Sequence, residues 1–373
     1  MDTKIRITSL SIIALLFFPI LSNGQDAKLF VRKDTIYSKV LNETRIIDVY
    51  LPPNYFDAND NYPLQIVLGN TSRTQMYYAL ANYLSQSYQP EHLHELYSIP
   101  QSIIVGVGHT NRKNIDNFRK YITTEVIPII SKKYRESHYK TIVGHSVSGE
   151  LVLHSLLDSD SPFNSFFCSA PANSDFFIKK LRNKEIANNL TTSKRKLFFA
   201  AGENDYFNTE NRILINKFKE LKQKGFSFES TIKPYANHHS VLPMSIIDAL
   251  FFIYQDWHFT IPEEQTVDAT NLLIDHYEKI SRKIGFEVQP PEFDFYLLAY
   301  LLNIRKAFNE KIKVLKMCKK YYPQAINADA YLARTYYNLG NLQEAKTYNQ
   351  KALLINSDNE FAKQTKELID KHR

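Results

Sequence analysis

Glycine is scarce in this chain, with 10 among 373 residues, where an average protein carries roughly 7%. Cysteine is scarcer: only Cys168 and Cys318 occur. That excludes a disulfide framework and reads both as small buried hydrophobes rather than a pair. A chain of this length can bury an adequate core without staples. Beyond the N-terminus, no run approaches the roughly 18 apolar residues that a membrane-spanning helix needs. An excess of one charge is also missing, because the formal +7 is small and dispersed, which argues against a nucleic-acid partner. His92-x-His94 and His238-His239 lack a third ligand at metal-site spacing, so no metal is expected.

The exceptional segment is the first one. Lys4 and Arg6 precede an apolar run from Ile12 to Leu21, and Ser22, Asn23 and Gly24 stand before Gln25. This reads as a cleavable secretory signal over residues 1–24, with an uncleaved N-terminal anchor as the alternative. Its apolar core is short for a bilayer span. The expected mature protein is periplasmic or secreted, with no membrane span.

Two of the ten glycines bracket one serine, in Gly144-His145-Ser146-Val147-Ser148-Gly149. An apolar run (Thr141, Ile142, Val143) precedes it and a helix-like one (Leu151, Val152, Leu153, Leu156, Leu157) comes after. Strand, tight turn with a central serine, then helix is the setting of a nucleophile elbow. The amide of Val147 then sits at a helix N-terminus, where it can donate to a developing oxyanion. The second glycine of G-x-S-x-G is replaced by Ser148, a small side chain that the turn is expected to tolerate. An ordinary buried strand-to-helix turn is the alternative.

Further along the chain, acid and base come in a telling order. Lys196–Ala201 reads as a buried strand ending in Gly202-Glu203-Asn204-Asp205. Phe226–Ile232 alternates as a half-buried strand does and runs into Asn237-His238-His239-Ser240. Ser, Asp, His is the chain order of an α/β-hydrolase triad, each member at the end of a strand. A serine hydroxyl needs an imidazole to take its proton and a carboxylate to orient that imidazole. Ser146 is therefore the expected nucleophile, a histidine at 238 or 239 the base, and Asp205 the acid, with Glu203 in reserve.

The chain resembles the esterase branch of the α/β hydrolases, which includes S-formylglutathione hydrolases, feruloyl and acetyl-xylan esterases, and trilactone esterases that open ferric siderophores. The likeness runs from about Thr35 to Trp257. It rests on Val49–Tyr55 (VYLPPNY), Tyr62–Leu68 (YPLQIVL), Ile104-Val105-Gly106-Val107, and Glu125-Val126-Ile127-Pro128 with Lys133-Tyr134 before the Gly-His-Ser turn. It looks most like the siderophore esterases, whose pattern places the catalytic histidine at His238. Leu68-Gly69-Asn70 stands where the family usually has Leu-Asp-Gly, so the second oxyanion amide implied there is that of Asn70 or Thr71. The loop from Asn111-Arg112 to Phe118 is shorter than the family's, implying a more open cleft or a different substrate. The resemblance implies an acyl-enzyme on Ser146, a small-molecule ester substrate and no cofactor.

Beyond Trp257 the pattern changes. Residues 261–290 read as a proline-flanked linker with one helix through Leu272, Leu273, Tyr277 and Ile280. In residues 291–373, Leu298-Ala299 recurs as Leu332-Ala333, Cys318 as Ala352, and Pro323 aligns with Ser357, all at a spacing of 34. With Tyr336, Gly340, Ala345 and Ala352 in place, this resembles two tetratricopeptide-like repeats, the second over about Ile326 to Asn359. A final amphipathic helix through Ala362, Leu368 and Ile369 looks like a cap. Two repeats are too few to stand alone, so they are expected to bury a face on the rest of the chain. They serve either as a structural annexe or as a groove for a protein partner. Lys311, Lys313, Lys316, Lys319 and Lys320 read as a solvated helix face. Most of the 24 tyrosines and 24 phenylalanines are assigned to core packing, with an aromatic pocket as the alternative.

The expected whole is an α/β-hydrolase fold with a mostly parallel sheet over residues 25–260, followed by a small all-α, tetratricopeptide-like domain. The expected function is that of an exported serine esterase. A thioesterase or acyltransferase on the same triad is the neighbouring alternative, and an inactive hydrolase fold kept as a binding scaffold is the distant one.

Overall fold

A computed structural model describes residues 31–53, 55–56, 60–86, 99–108, 112–259, 267–284, 286–325 and 327–371. The signal reading at 1–24, His92, His94, Asn111 and Ile326 lie outside the described residues. Strands β1 (Val31–Ser38) and β2 (Glu43–Tyr50) form a hairpin. Next come β3 (Tyr62–Leu68), α1 (Thr71–Gln86), β4 (Ile103–Val107), α2 (Ile115–Tyr121) and α3 (Ile127–Lys133). A widened helical turn, Ile122–Val126, joins α2 to α3, and its Glu125 carboxylate accepts from the amides of Lys39 and Val40 at the hairpin tip (2.9 and 3.1 Å). The sheet continues through β5 (Glu136–His145), α4 (Val147–Leu157), β6 (Ser165–Ser169), α5 (Ser174–Lys180), α6 (Lys184–Thr192), β7 (Lys196–Gly202), α7 (Asn208–Lys222), β8 (Ser227–Lys233) and α8 (Val241–Tyr254).

The eight strands lie in the order β1-β2-β4-β3-β5-β6-β7-β8. Only the β1–β2 and β2–β4 pairings are antiparallel; the rest are parallel. Parallel strands covered on both faces read as continuous apolar runs, and all seven residues of β3 are buried. Gln65, the polar residue among them, is tolerated because Tyr77 donates its hydroxyl to Oε1 at 2.6 Å.

The strand that contains the apolar run Thr141–Val143 begins at Glu136, where Glu136 pairs with Tyr62 across the sheet and is matched by Lys140 at 3.1 Å. One local expectation needs correcting. The segment from Arg112 to Phe118 is not a loop, since Arg112–Asn114 makes a 3-10 turn and α2 opens at Ile115. Ile115 and Phe118 are buried, and that burial favours helix.

The regular elements among the described residues of the C-terminal part are helices: α9 (Ala269–Ile284), α10 (Glu292–Ile304), α11 (Phe308–Tyr321), α12 (Ala328–Asn338), α13 (Leu342–Ile355) and α14 (Glu360–Lys371). It shares one apolar cluster with the sheet side, which joins Tyr139, Phe198, Ile253 and Trp257 to Leu273, Tyr277, Phe295 and Leu315. Polar contacts cross the same joint. The Glu292 amide donates to Asp60 (3.5 Å) and Lys283 pairs with Asp256 (2.6 Å), while within the helical part Glu310 of α11 accepts from the Thr270 hydroxyl of α9 (3.0 Å). α9 is therefore a packed wedge between the two parts. The lysine stripe on α11 is not uniformly solvated either. Lys311 is only 2% exposed and donates to Asn303 at 2.9 Å, and burial pushes its ammonium down to about 7. Cys168 and Cys318 are both buried and free.

The joint carries a pH dependence. Burial, with the nearby Asp60 charge adding to it, raises Asp294 to about 6, although Tyr277 donates to it at 2.5 Å. A carboxyl raised above its unfolded value of 3.8 holds its proton more tightly when folded. Its contribution is thus fully present below about pH 4 and is lost as pH rises through 6, a loss on the order of 3 kcal/mol. Asp294→Asn is expected to flatten the decline in melting temperature between pH 4 and pH 7. An unchanged pH profile in that variant would show that another group sets the dependence.

Candidate active site

The strand order brings the site together. β3 pairs with both β4 and β5, so the connections leaving β3 and β5 diverge, and a crevice opens at their carboxyl ends. On one lip lies Gly69-Asn70, leading into α1; on the other lies Ser146, between β5 and α4. The turn at Ser146 is strained, with φ 59° and ψ −123°, a conformation non-glycine residues adopt only when the surroundings enforce it. Those surroundings are tight. A Cβ on Gly144 would stand 2.2 Å from the carbonyl oxygen of Ser148, and one on Gly149 would stand 3.0 Å from that of Ser169. The displaced second glycine thus serves packing of α4 against the end of β6. Ser148 is buried at the first turn of α4 without obstructing it.

Asp205 comes after β7 and His238 after β8. Gly202 lets these two loops approach, because a Cβ there would meet the Ala236 carbonyl oxygen at 2.5 Å. The Asn204 amide then donates to that same oxygen at 2.9 Å, and the Glu203 amide donates to Lys233 at 3.1 Å. Asn237 fixes the rest of the histidine loop, its Oδ1 accepting from the amides of His239 and Ser240, both at 3.0 Å, just before α8.

The three side chains meet. His238 Nδ1 lies 2.9 Å from Asp205 Oδ2, and His238 Nε2 lies 3.0 Å from Ser146 Oγ. With Nδ1–H donating to the carboxylate, Nε2 is left to accept from the serine hydroxyl. Asp205 is further held by the Phe207 amide at 2.9 Å, and both Asp205 and His238 are buried. Glu203 points elsewhere, accepting from the Tyr235 amide at 3.3 Å. The exposed His239 contacts the His238 ring only edge-on at 5.8 Å.

Val147 is the first residue of α4, so its amide has no intrahelical acceptor. Across the crevice, Asn70 caps α1: its Oδ1 accepts from the Arg73 amide at 3.0 Å. This leaves the main-chain amides of Asn70 and Thr71 at the start of that helix, as in an oxyanion loop. Thr71 is tied down by a 2.8 Å bond from its hydroxyl to Asp48.

Several neighbours have no role that the sequence pattern assigns. His145 ends β5 beside Ser169 (3.2 Å) with its ring 4.6 Å from that of His238. Burial first, then the charge of Arg73, pushes it down to about 3. Tyr206 and Phe207, directly after the acid, place their rings 4.6 and 5.6 Å from His238. Position next to Ser146 and Asp205 is the one signal the sequence offers for them. No group of three His, Cys, Asp or Glu side chains among the described residues could hold a metal. No described helix is long and apolar enough to cross a membrane.

Comparison with known proteins agrees with this architecture. Residues 38–195 match the esterase family, a stretch that includes Ser146 and ends before Asp205 and His238. Ferri-bacillibactin esterase BesA of Bacillus subtilis is 27% identical over 146 residues, 37% of this chain and 50% of BesA; the chain thus spans half the length of that relative. An IroE-like serine hydrolase from Shewanella oneidensis superposes with a TM-score of 0.65 at 21% identity, covering 78% of this chain and 99% of that one. A protein from Capnocytophaga ochracea covers 91% of this chain and 99% of its own at a TM-score of 0.56 and 18% identity. The fold is thus that of the α/β hydrolases, and residues 38–195 are similar to the esterase family.

Proposed function

We propose that this protein is an exported serine esterase that cleaves carboxylic esters through an acyl-enzyme on Ser146. The observation that carries the reading is the continuous chain from Ser146 Oγ through both nitrogens of His238 to Asp205, at 3.0 and 2.9 Å. As Ser146 Oγ attacks the ester carbonyl, its proton passes to His238 Nε2. The resulting imidazolium is balanced by Asp205, and the oxyanion is received by the amides of Val147 and Asn70. The imidazolium then gives the proton to the departing alkoxide, leaving the acyl group on Ser146. Water repeats the cycle: His238 takes its proton, hydroxide adds to the acyl carbon, and the acid leaves as Ser146 recovers its hydrogen.

The basic, then apolar, start of the chain supports export. The kinship with a ferri-bacillibactin esterase supports siderophore-like or other exogenous esters as substrates. The helical part is proposed as an annexe of two tetratricopeptide-like repeats with a capping helix.

Purified mature protein should hydrolyse a short-chain aryl ester. His238→Ala is expected to lower kcat about 10³-fold or more, and Asp205→Asn about as severely. His239→Ala should stay within a few-fold of wild type, because its side chain lies on the exposed side of the loop. A larger loss at His239 than at His238 would overturn the assignment of the base, and a normal rate for Asp205→Asn would move the acid.

A further inference from the structure

The imidazole of His238 is gripped by more than its two hydrogen bonds. A buried ring, His145, leans on it at 4.6 Å and 43°, and an exposed ring, Tyr206, lies at 4.6 Å and 37°. Tyr206 is itself braced against Phe207 at 4.5 Å and 61°, while Phe207 meets His238 nearly edge-on at 71°. Tyr206 is 70% exposed, so packing a core does not account for its place. A large ring left in water contributes little to folding, yet this one covers the imidazole that must become a cation once per proton transfer.

We propose that Tyr206 is a positioning residue for the proposed esterase reaction: its ring holds the His238 imidazole in line with Ser146 and stabilises the imidazolium through its π face. A cation over a tyrosine face is attracted by the ring quadrupole, and the attraction is absent from the neutral ground state, so it favours the transition state selectively. The groups facing His238 are otherwise few. Asp205 supplies the one negative charge and Ser146 the proton. His239 stands edge-on from the next position, and His145 lies beneath with the Arg73 guanidinium beyond it. His145 is held uncharged by burial and by that guanidinium, so it does not add a second cation against the imidazolium. Among the described rings that contact His238, Tyr206 is exposed and lies tilted against the imidazole at 4.6 Å, whereas Phe207 and the exposed His239 meet it edge-on at 5.6 and 5.8 Å.

The inference rests on the esterase reading, so its test has one arm that needs no substrate. Tyr206→Phe and Tyr206→Trp keep a π face; Tyr206→Leu keeps bulk and removes it. In proton NMR titration of the His238 ring, the leucine variant is expected to titrate about half a pH unit lower than wild type, with the phenylalanine variant unchanged. On an aryl ester, Tyr206→Leu should lower kcat about threefold with KM within twofold, and Phe or Trp should restore it. The acid limb of kcat/KM should move with the NMR midpoint. Equal titration of the Leu and Phe variants overturns the proposal, whatever the turnover. So does a change confined to KM, which would make Tyr206 a substrate contact. A lowered midpoint in a protein that hydrolyses no ester leaves the role of Tyr206 standing and removes the esterase reading instead.

Discussion

Ser146→Ala is expected to reduce hydrolysis of an aryl ester by about three to six orders of magnitude while leaving the melting temperature nearly unchanged. In the proposed mechanism, loss of the nucleophile removes the acyl-enzyme route altogether, and what persists is the modest assistance of the oxyanion amides and binding. The fold should tolerate the change because the strain at residue 146, φ 59°, is imposed by the packing of Gly144 and Gly149 rather than by the hydroxyl. Steady-state rates and thermal melts of the two proteins check both halves. Equal rates above buffer would refute the mechanism. Destabilisation by about ten degrees would show that the hydroxyl, hydrogen-bonded to His238 at 3.0 Å, holds structure as well.

Deleting residues 291–373 is expected to have the largest effect on stability. α9 shares its apolar cluster with α10 and α11 as well as with the sheet: Leu273, Tyr277 and Ile280 are buried together with Phe295, Leu298, Val314 and Leu315. At roughly 1.5–3 kcal/mol per large apolar side chain, uncovering even three of these loses about 5 kcal/mol, comparable to the net stability of an ordinary domain, about 5–15 kcal/mol. The newly exposed face is also contiguous, which favours aggregation. The truncated protein should therefore melt more than about ten degrees lower or precipitate, while any folded fraction retains kcat/KM, since Ser146, Asp205 and His238 all lie before residue 240. Unchanged melting would make the helices an independent module. A folded but inactive truncation would show that they shape the active site.

Much of this architecture is legible in the residues, for identifiable reasons. A central parallel strand is buried on both faces, so Thr141–Val143 and Lys196–Ala201 stand out as apolar runs. The turns that end them demand glycine, which is rare enough here to be conspicuous. The chain order Ser146, Asp205, His238 is readable because the first two come just after such strands and His238 after β8, a half-buried edge strand that shows as alternation instead. Local pattern is weaker where tertiary partners decide. Glu136 joins a strand because Tyr62 and Lys140 await it. Lys311 lies inside because Asn303 accepts its ammonium. Residues 112–118 are helical because Ile115 and Phe118 have a core to enter. At the site, the choice between Asp205 and Glu203 depends on side-chain direction. The two are only two residues apart, yet Asp205 bonds His238 while Glu203 accepts from the Tyr235 amide. The rings about His238 are hard to read from the sequence for the same reason: apart from standing next to Asp205 and Ser146, neither Tyr206 nor His145 belongs to a spacing pattern.

The most direct test of the central claim is covalent capture. The purified protein is incubated with a fluorophosphonate, and the modified peptide is located by mass spectrometry. A triad built on Ser146 predicts one adduct per chain, on that serine, formed at a rate that collapses in His238→Ala and is absent in Ser146→Ala. Ester turnover by a protein whose Ser146 stays unlabelled, or labelling that His238→Ala leaves equally fast, would contradict it.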